Sequence, residues 1–169
     1  DLINPSTGDV IAQVSEANDE HVNDAVGVAK DTLENTWKNI TARERSTLLS
    51  TLGRLIEENY DVLASLEATD VGKPLRQAQA DVKALARYME FYAGAADKLH
   101  GDTIPYLEDY TVYTLREPHG VCAHIIPWNY PMQIIGRSVG AALATGNTCI
   151  LKPAEEACLT ALALSLIHI

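Results

Sequence analysis

Two short runs in this 169-residue chain carry side chains able to act on a carbonyl group and to hold a sugar. The first is Pro127-Trp128-Asn129-Tyr130-Pro131. When a nucleophile adds to a carbonyl carbon, negative charge builds on the oxygen, and fixed hydrogen-bond donors stabilise it. An Asn amide offers two donors and no net charge. The flanking prolines restrict the backbone around Asn129, and packing of Trp128 is expected to lock it. The same run also reads as a rigid strand-to-helix turn with Asn129 as N-cap. The second run is Lys152-Pro153-Ala154-Glu155. An ammonium can donate to ribose oxygens and a carboxylate can accept from ribose hydroxyls, and this spacing lets both face one sugar. The plainer reading is an exposed Lys–Glu pair of little energetic weight.

Both runs need strand ends to hold them. Val121 to Ile126 reads as a strand, Met132 to Thr145 as a helix, Thr148 to Leu151 as a strand, and another helix opens near Leu159. This β-α-β-α order predicts an α/β fold with a parallel, doubly wound sheet. Ligands of such sheets bind outside the carboxyl ends of the strands, where both runs fall. Upstream, Leu2-Ile3 and Val10 to Val14 read as strands around the turn Asn4-Pro5-Ser6-Thr7-Gly8. Asn18 and Asp19 can cap a helix carrying Val22, Val26, Ala29 and Leu33 at helical spacing. Thr41 and Glu44 form a capping box that opens a helix with Leu48, Leu52, Leu55 and Ile56 on one face. A shorter helix spans Asp61 to Val71 and stops at Gly72-Lys73-Pro74. The longest helix, Leu75 to about Leu99, carries a core stripe of Ala78, Val82, Leu85, Met89, Tyr92, Ala96 and Leu99, and Gly101 ends it. Thr103-Ile104 and Tyr110 to Glu117 read as the two strands of a ribbon. No repeat, low-complexity tract or linker interrupts the chain.

Composition narrows the function classes. Thirteen basic against 23 acidic residues give a formal charge of −10, which argues against a general binder of nucleic-acid phosphates. No run reaches the roughly 18 apolar residues of a membrane span, so no membrane partner is expected. Cys122, Cys149 and Cys158 are odd in number and lack framework spacing, which points to reduced thiols in the cytoplasm; each reads as a small packing residue. Of His119, Cys122 and His124, only the last two share a strand face, so no metal site is expected. A G-x-G-x-x-G fingerprint is absent, and Gly72-Lys73 is no P-loop, because Glu67 and Pro74 stand at its other defining positions. Gly136 and Gly140 read as helix-packing positions.

Several stretches together resemble the aldehyde dehydrogenase superfamily: Asn4-Pro5-Ser6-Thr7-Gly8, Asp70-Val71-Gly72-Lys73-Pro74-Leu75, Tyr92 to Asp97, Arg116 to Val121, and above all Ile125 to Glu156. The likeness runs from about Leu2 to Ala163. It implies the N-terminal part of an aldehyde dehydrogenase-like fold, a helical layer plus the start of the doubly wound sheet. Within it, 1–102 would hold the first strands and helices, 103–117 an oligomerisation arm, and 118–163 the start of an NAD(P)-binding sheet. The resemblance makes Asn129 an oxyanion donor. It places Ile125, Ile126, Pro127, Trp128 and Asn129 along a cofactor cleft, and Lys152, Pro153 and Glu155 at an adenosine ribose. A carboxylate beside a 2′-hydroxyl repels a 2′-phosphate, so Glu155 leans toward NAD, with NADP as the alternative. The implied reaction oxidises a small-molecule aldehyde to a carboxylic acid. It uses a Cys thiolate and a water-activating Glu that lie beyond Ile169, in a homodimer or homotetramer. This chain alone is therefore expected to be inactive. A semialdehyde-specific or acylating relative is the alternative among enzymes, and a noncatalytic binding or assembly fragment the alternative outside them. Arg137 and His124 depart from the residues common at those places. The last six residues, 164–169, back-translate into a sequencing-library adapter and are expected to be foreign to the gene.

Overall fold

A computed structural model describes residues 1–167. Reciprocal caps set the starts of the first two long helices. Asn18 accepts from the His21 N–H while its own N–H donates to His21 Nδ1, which opens α1 (Asp19–Asn35). Thr41 and Glu44 close the expected box at the start of α2 (Ala42–Glu58); a single 3-10 turn, Trp37–Asn39, lies between the two helices. α3 (Tyr60–Val71) ends on Gly72, which is left-handed at φ 74°. A Cβ there would also lie 2.6 Å from Pro5 Cγ. Gly72 is thus held to glycine twice, by its dihedral and by the turn joining β1 (Leu2–Ile3) to β2 (Val10–Ala12), an antiparallel pair.

The centre of the helical layer is α4 (Leu75–Ala95), against which α2, α3 and the later α5 (Pro131–Ala144) pack. Its buried face, Ala78, Val82, Leu85, Met89 and Ala93, follows the stripe read in the sequence. The helix ends four residues before Leu99, not at Gly101. The Ala96 and Lys98 N–H groups bond only three residues back, a tightened last turn. The run Ala93-Gly94-Ala95-Ala96 offers little side chain to pack, and Leu99 is exposed. In α2 the buried residues are Leu49, Gly53 and Ile56, and Leu48 faces solvent. Ile56 is buried and Leu52 packs on the core as expected, but Leu49 takes the place read for Leu48, because α4 comes closest at Gly53, where a Cβ would sit 3.3 Å from the Ala86 carbonyl oxygen. Gly136 and Gly140 have the packing role read for them: a Cβ would stand 2.9 Å from Tyr88 Cδ2 and 2.8 Å from Tyr92 Cδ2.

β5 (Val121–Ile125) and β6 (Thr148–Lys152) pair in parallel, in register from Val121↔Thr148 to Ile125↔Lys152, and α5 connects them. Thr148 Oγ1 donates to the Ala29 carbonyl of α1. Leu151, on the opposite face by strand alternation, packs against the helical core. Helices therefore cover both faces, as an α/β parallel sheet requires. α6 (Leu159–Ile167) follows. Of the tail set apart in the sequence, Leu164 is buried against the core, and His168 and Ile169 lie outside the described residues. The ribbon is shorter than expected. Only β3 (Thr103–Ile104) and β4 (Val112–Tyr113) pair, and Tyr106, Leu107, Tyr110, Tyr113 and Leu115 around them are exposed, with no packed layer to lengthen the pairing. Among the described residues no helix is long and apolar enough to cross a membrane.

The α4–α5 contact predicts that Gly136→Val overfills it. Branched methyls would meet Tyr88 and Leu85 where a single Cβ is already too close, so the variant should lose about 1–3 kcal/mol. A lowered thermal midpoint in a calorimetric scan checks this; an unchanged midpoint refutes the tight approach.

Candidate functional site at the ends of the parallel strands

The two runs singled out in the sequence leave the sheet side by side. Ile125 and Lys152 are the last register pair, and the Ile126 N–H donates to the Lys152 carbonyl at 2.9 Å, carrying the ladder one residue further. Ile126 is buried, whereas Ile125, Pro127, Trp128 and Asn129 are exposed. Among the described residues nothing bonds the Asn129 amide. The N-cap of α5 is Tyr130, without a side-chain cap bond, so Asn129 is not the cap. The expected locking of Asn129 by a packed Trp128 is not what the structure contains. Trp128 is 59% exposed and lines a cleft of about 560 Å³ shared with Glu155, Glu156, Asp70 and β1. Lys152 Nζ lies 3.7 Å from Glu155 Oε1, with both side chains largely in solvent. The two form an exposed ion pair, longer than a hydrogen bond, which is the plainer pairing that the sequence also offered and one of little energetic weight. Pro153 is half-buried between them.

Beneath this crevice lies a charged cluster that the sequence reading did not single out. The Lys73 ammonium bridges Glu67 Oε1 at 2.9 Å and Asp81 Oδ2 at 2.7 Å, and all three side chains are buried. Thr160 Oγ1 of α6 donates to Glu67 Oε2 at 2.9 Å. Gln133 Nε2 of α5 donates to Asp81 Oδ1 at 2.6 Å. The ammonium also sits 4.6 Å from the centre of the Tyr130 ring, and the Tyr130 hydroxyl accepts from Gln77 Nε2. Burial alone would lower the Lys73 pKa, but the bonds to Asp81 and Glu67 more than offset it and hold the group charged. Beside the cluster, Asp70 Oδ2 accepts the Leu159 N–H at 2.8 Å, and its Oδ1 is buried without a partner. Burial, reinforced by the Glu67 charge and opposed by the Leu159 N–H, pushes Asp70 up to about 6. A sequence signal did exist: Glu67 follows Leu63 by four and Asp81 follows Ala78 by three, so both acids fall on apolar stripes and need buried partners.

Burial, with the nearby Cys122, pushes the Cys149 thiol up to about 12, and burial also raises that of Cys158. Cys122 and Cys149 are register partners on β5 and β6. Burial lowers the pKa of His124, whose Nε2 has no partner. Among the described residues no group of three side chains could hold a metal.

A profile of the aldehyde dehydrogenase family matches residues 1–168. The chain belongs to this family. It is 47% identical over 161 residues to the mitochondrial aldehyde dehydrogenase family 2 member B4 of Arabidopsis thaliana, covering 94% of this chain and 30% of that protein. A crystal structure assigned as an aldehyde dehydrogenase from Burkholderia cenocepacia superposes with a TM-score of 0.97 at 52% identity, over 99% of this chain and 35% of that one. An NAD+ complex of aldehyde dehydrogenase from Bacillus cereus gives 0.96 at 43% identity, over 99% and 34%. The chain thus spans about a third of the length of these aldehyde dehydrogenases.

Two predictions follow from the buried cluster. Lys73→Met strands two carboxylates and should cost about 3–5 kcal/mol, read as a lower urea midpoint; a change near zero would refute the pairing. For Asp70, the folded pKa of about 6 exceeds the ordinary 3.8. The folded chain then keeps a proton that the unfolded chain releases, so stability falls as pH rises through that window. Asp70→Asn should gain on the parent between those pH values and hold a constant difference above them; a difference flat with pH would refute the shift.

Proposed function

We propose that this chain is the part of an aldehyde dehydrogenase that holds the oxyanion donor and one side of the cofactor crevice, and that the whole enzyme oxidises an aldehyde to a carboxylic acid with NAD. The observation that supports it is the Asn129 amide, unpartnered among the described residues, which stands at the carboxyl end of β5 beside the exposed Lys152 and Glu155 at the end of β6. NAD supplies the hydride acceptor when bound. The residues present fit it. Lys152 and Glu155 are exposed, spaced for one ribose, and joined only by a loose ion pair in solvent that a ligand can replace at little cost. Ile125, Pro127 and Trp128 present apolar surface at the mouth of the same crevice, Ile126 backs it, and Pro153 stiffens the turn that carries Lys152.

In the reaction, Asn129 Nδ2 donates to the aldehyde oxygen as a nucleophile adds and charge builds there. The nucleophile itself must be a thiolate at neutral pH. By the family resemblance the thiolate and the base that activates water come from residues outside this chain; burial raises the pKa of both Cys149 and Cys158, which suits neither to that role. The exposed ribbon around β3 and β4 serves as the arm that joins subunits into a dimer or tetramer. The free thiols fit a reducing compartment, the cytoplasm.

The test uses the full-length enzyme. Asn129→Ala should lower kcat by about 10²–10³ with little change in NAD binding, measured as NADH formation from a panel of aldehydes; an unchanged kcat refutes the role of Asn129. The 169-residue chain alone should show no turnover, and NADH formation by it would refute the assignment of the nucleophile. Glu155→Gln should narrow the preference for NAD over NADP by about tenfold, and an enzyme that already prefers NADP would refute the ribose contact.

A further inference from the structure

We infer that Tyr130, clamped on the buried Lys73 ammonium, is the positioning residue that holds Asn129 in its donating geometry; the inference rests on the oxyanion role proposed above. A donor stabilises a transition state only if it is already in place, and Asn129 has no bond of its own among the described residues. Trp128, the neighbour before it, is largely in solvent. The neighbour after it is held at three points. The Tyr130 carbonyl accepts the Ile134 N–H at 3.1 Å, its hydroxyl accepts from Gln77 Nε2, and its ring lies over Lys73 Nζ. Pro131 follows, fully buried. Each contact reaches a rigid partner. Gln77 is on α4, and Lys73 is fixed between Glu67 and Asp81. The carboxyl side of the Asn129 peptide is therefore tied to the helical layer, while its side chain remains free. A cation over an aromatic face is directional as well as attractive, so the ring also sets the rotation of the chain at 130.

A kinetic double-mutant cycle in the full-length enzyme tests this. The readout is the single-turnover rate of NADH formation, with the NAD dissociation constant measured in parallel. Tyr130→Leu leaves the Lys73 ion pairs intact and should slow that rate by about tenfold or more without weakening NAD binding. Tyr130→Phe keeps the ring over Lys73 and should recover most of the loss. On the Asn129→Ala background, Tyr130→Leu should add less than about twofold, because the two residues act as one unit. An equal loss in both backgrounds, or none in the parent, overturns the inference while leaving the role of Asn129 standing. If Asn129→Ala itself has no effect, the oxyanion reading fails and the inference falls with it. Should Tyr130→Leu not fold, Tyr130→Met, which fills more of the ring's volume without an aromatic face over Lys73, runs the same cycle, with the same outcomes deciding it.

Discussion

A single ammonium buried among carboxylates constrains this chain more than any other contact. Lys73 cannot be solvated where it sits, and neither can Glu67 or Asp81. Each needs its partners in place, and those partners come from α3, α4, α5 and α6. A half-assembled network of this kind is worse than an apolar core. The apolar contacts of α4 with α2 and α5 supply the driving force for packing. They are non-directional, and a small rotation of a helix would cost them little. The charges tolerate no such slack, so they fix which rotation is adopted.

The same cluster divides the site into what is held and what is left free. Tyr130, Ile126 and Leu159 are pinned by hydrogen bonds to the helical layer or to the sheet ladder. Asn129, Lys152 and Glu155 each lie within a few residues of a pinned position; Asn129 keeps its amide open, and Lys152 and Glu155 share only a loose exposed ion pair. Binding groups that satisfied one another would have to break those bonds to take a ligand. Here the scaffold bears the ordering cost beforehand, which is the physical content of preorganisation.

Local chemistry was legible in the sequence and partner identity was not. The Thr41–Glu44 box, the Gly72 stop and the parallel order of β5, α5 and β6 are written in short windows, because caps, left-handed glycines and periodicity act over a few residues. On α2, Leu52 and Ile56 were read correctly and Leu48 was not, since Leu48 and Leu49 are equivalent until α4 makes its close approach at Gly53. The end of α4 depends on where packing runs out, which no glycine marks. The Glu67, Lys73 and Asp81 cluster was not singled out: the apolar stripes carrying the two acids are local, but Thr160 and Gln133, which complete their environment, are far along the chain. For the crevice, the positions of Asn129 and Lys152 at strand ends were readable, whereas the exposure of Trp128 was not: an indole promises packing without saying against what.

The length of the loops in that network has a meaning in time. Thr160 lies 93 residues after Glu67, and Leu159 lies 89 after Asp70. At synthesis rates of about 5–20 residues per second, a ribosome delivers the last hydroxyl roughly 5–20 s after the acid it must meet. Helices α2 to α4, whose mutual contacts are local, form far faster than that. For those seconds their acidic pocket stands open and wet, with Lys73 as its counter-charge. The arrival of α6, with the Thr160 hydroxyl and the Leu159 N–H, then closes that pocket as a polar lock.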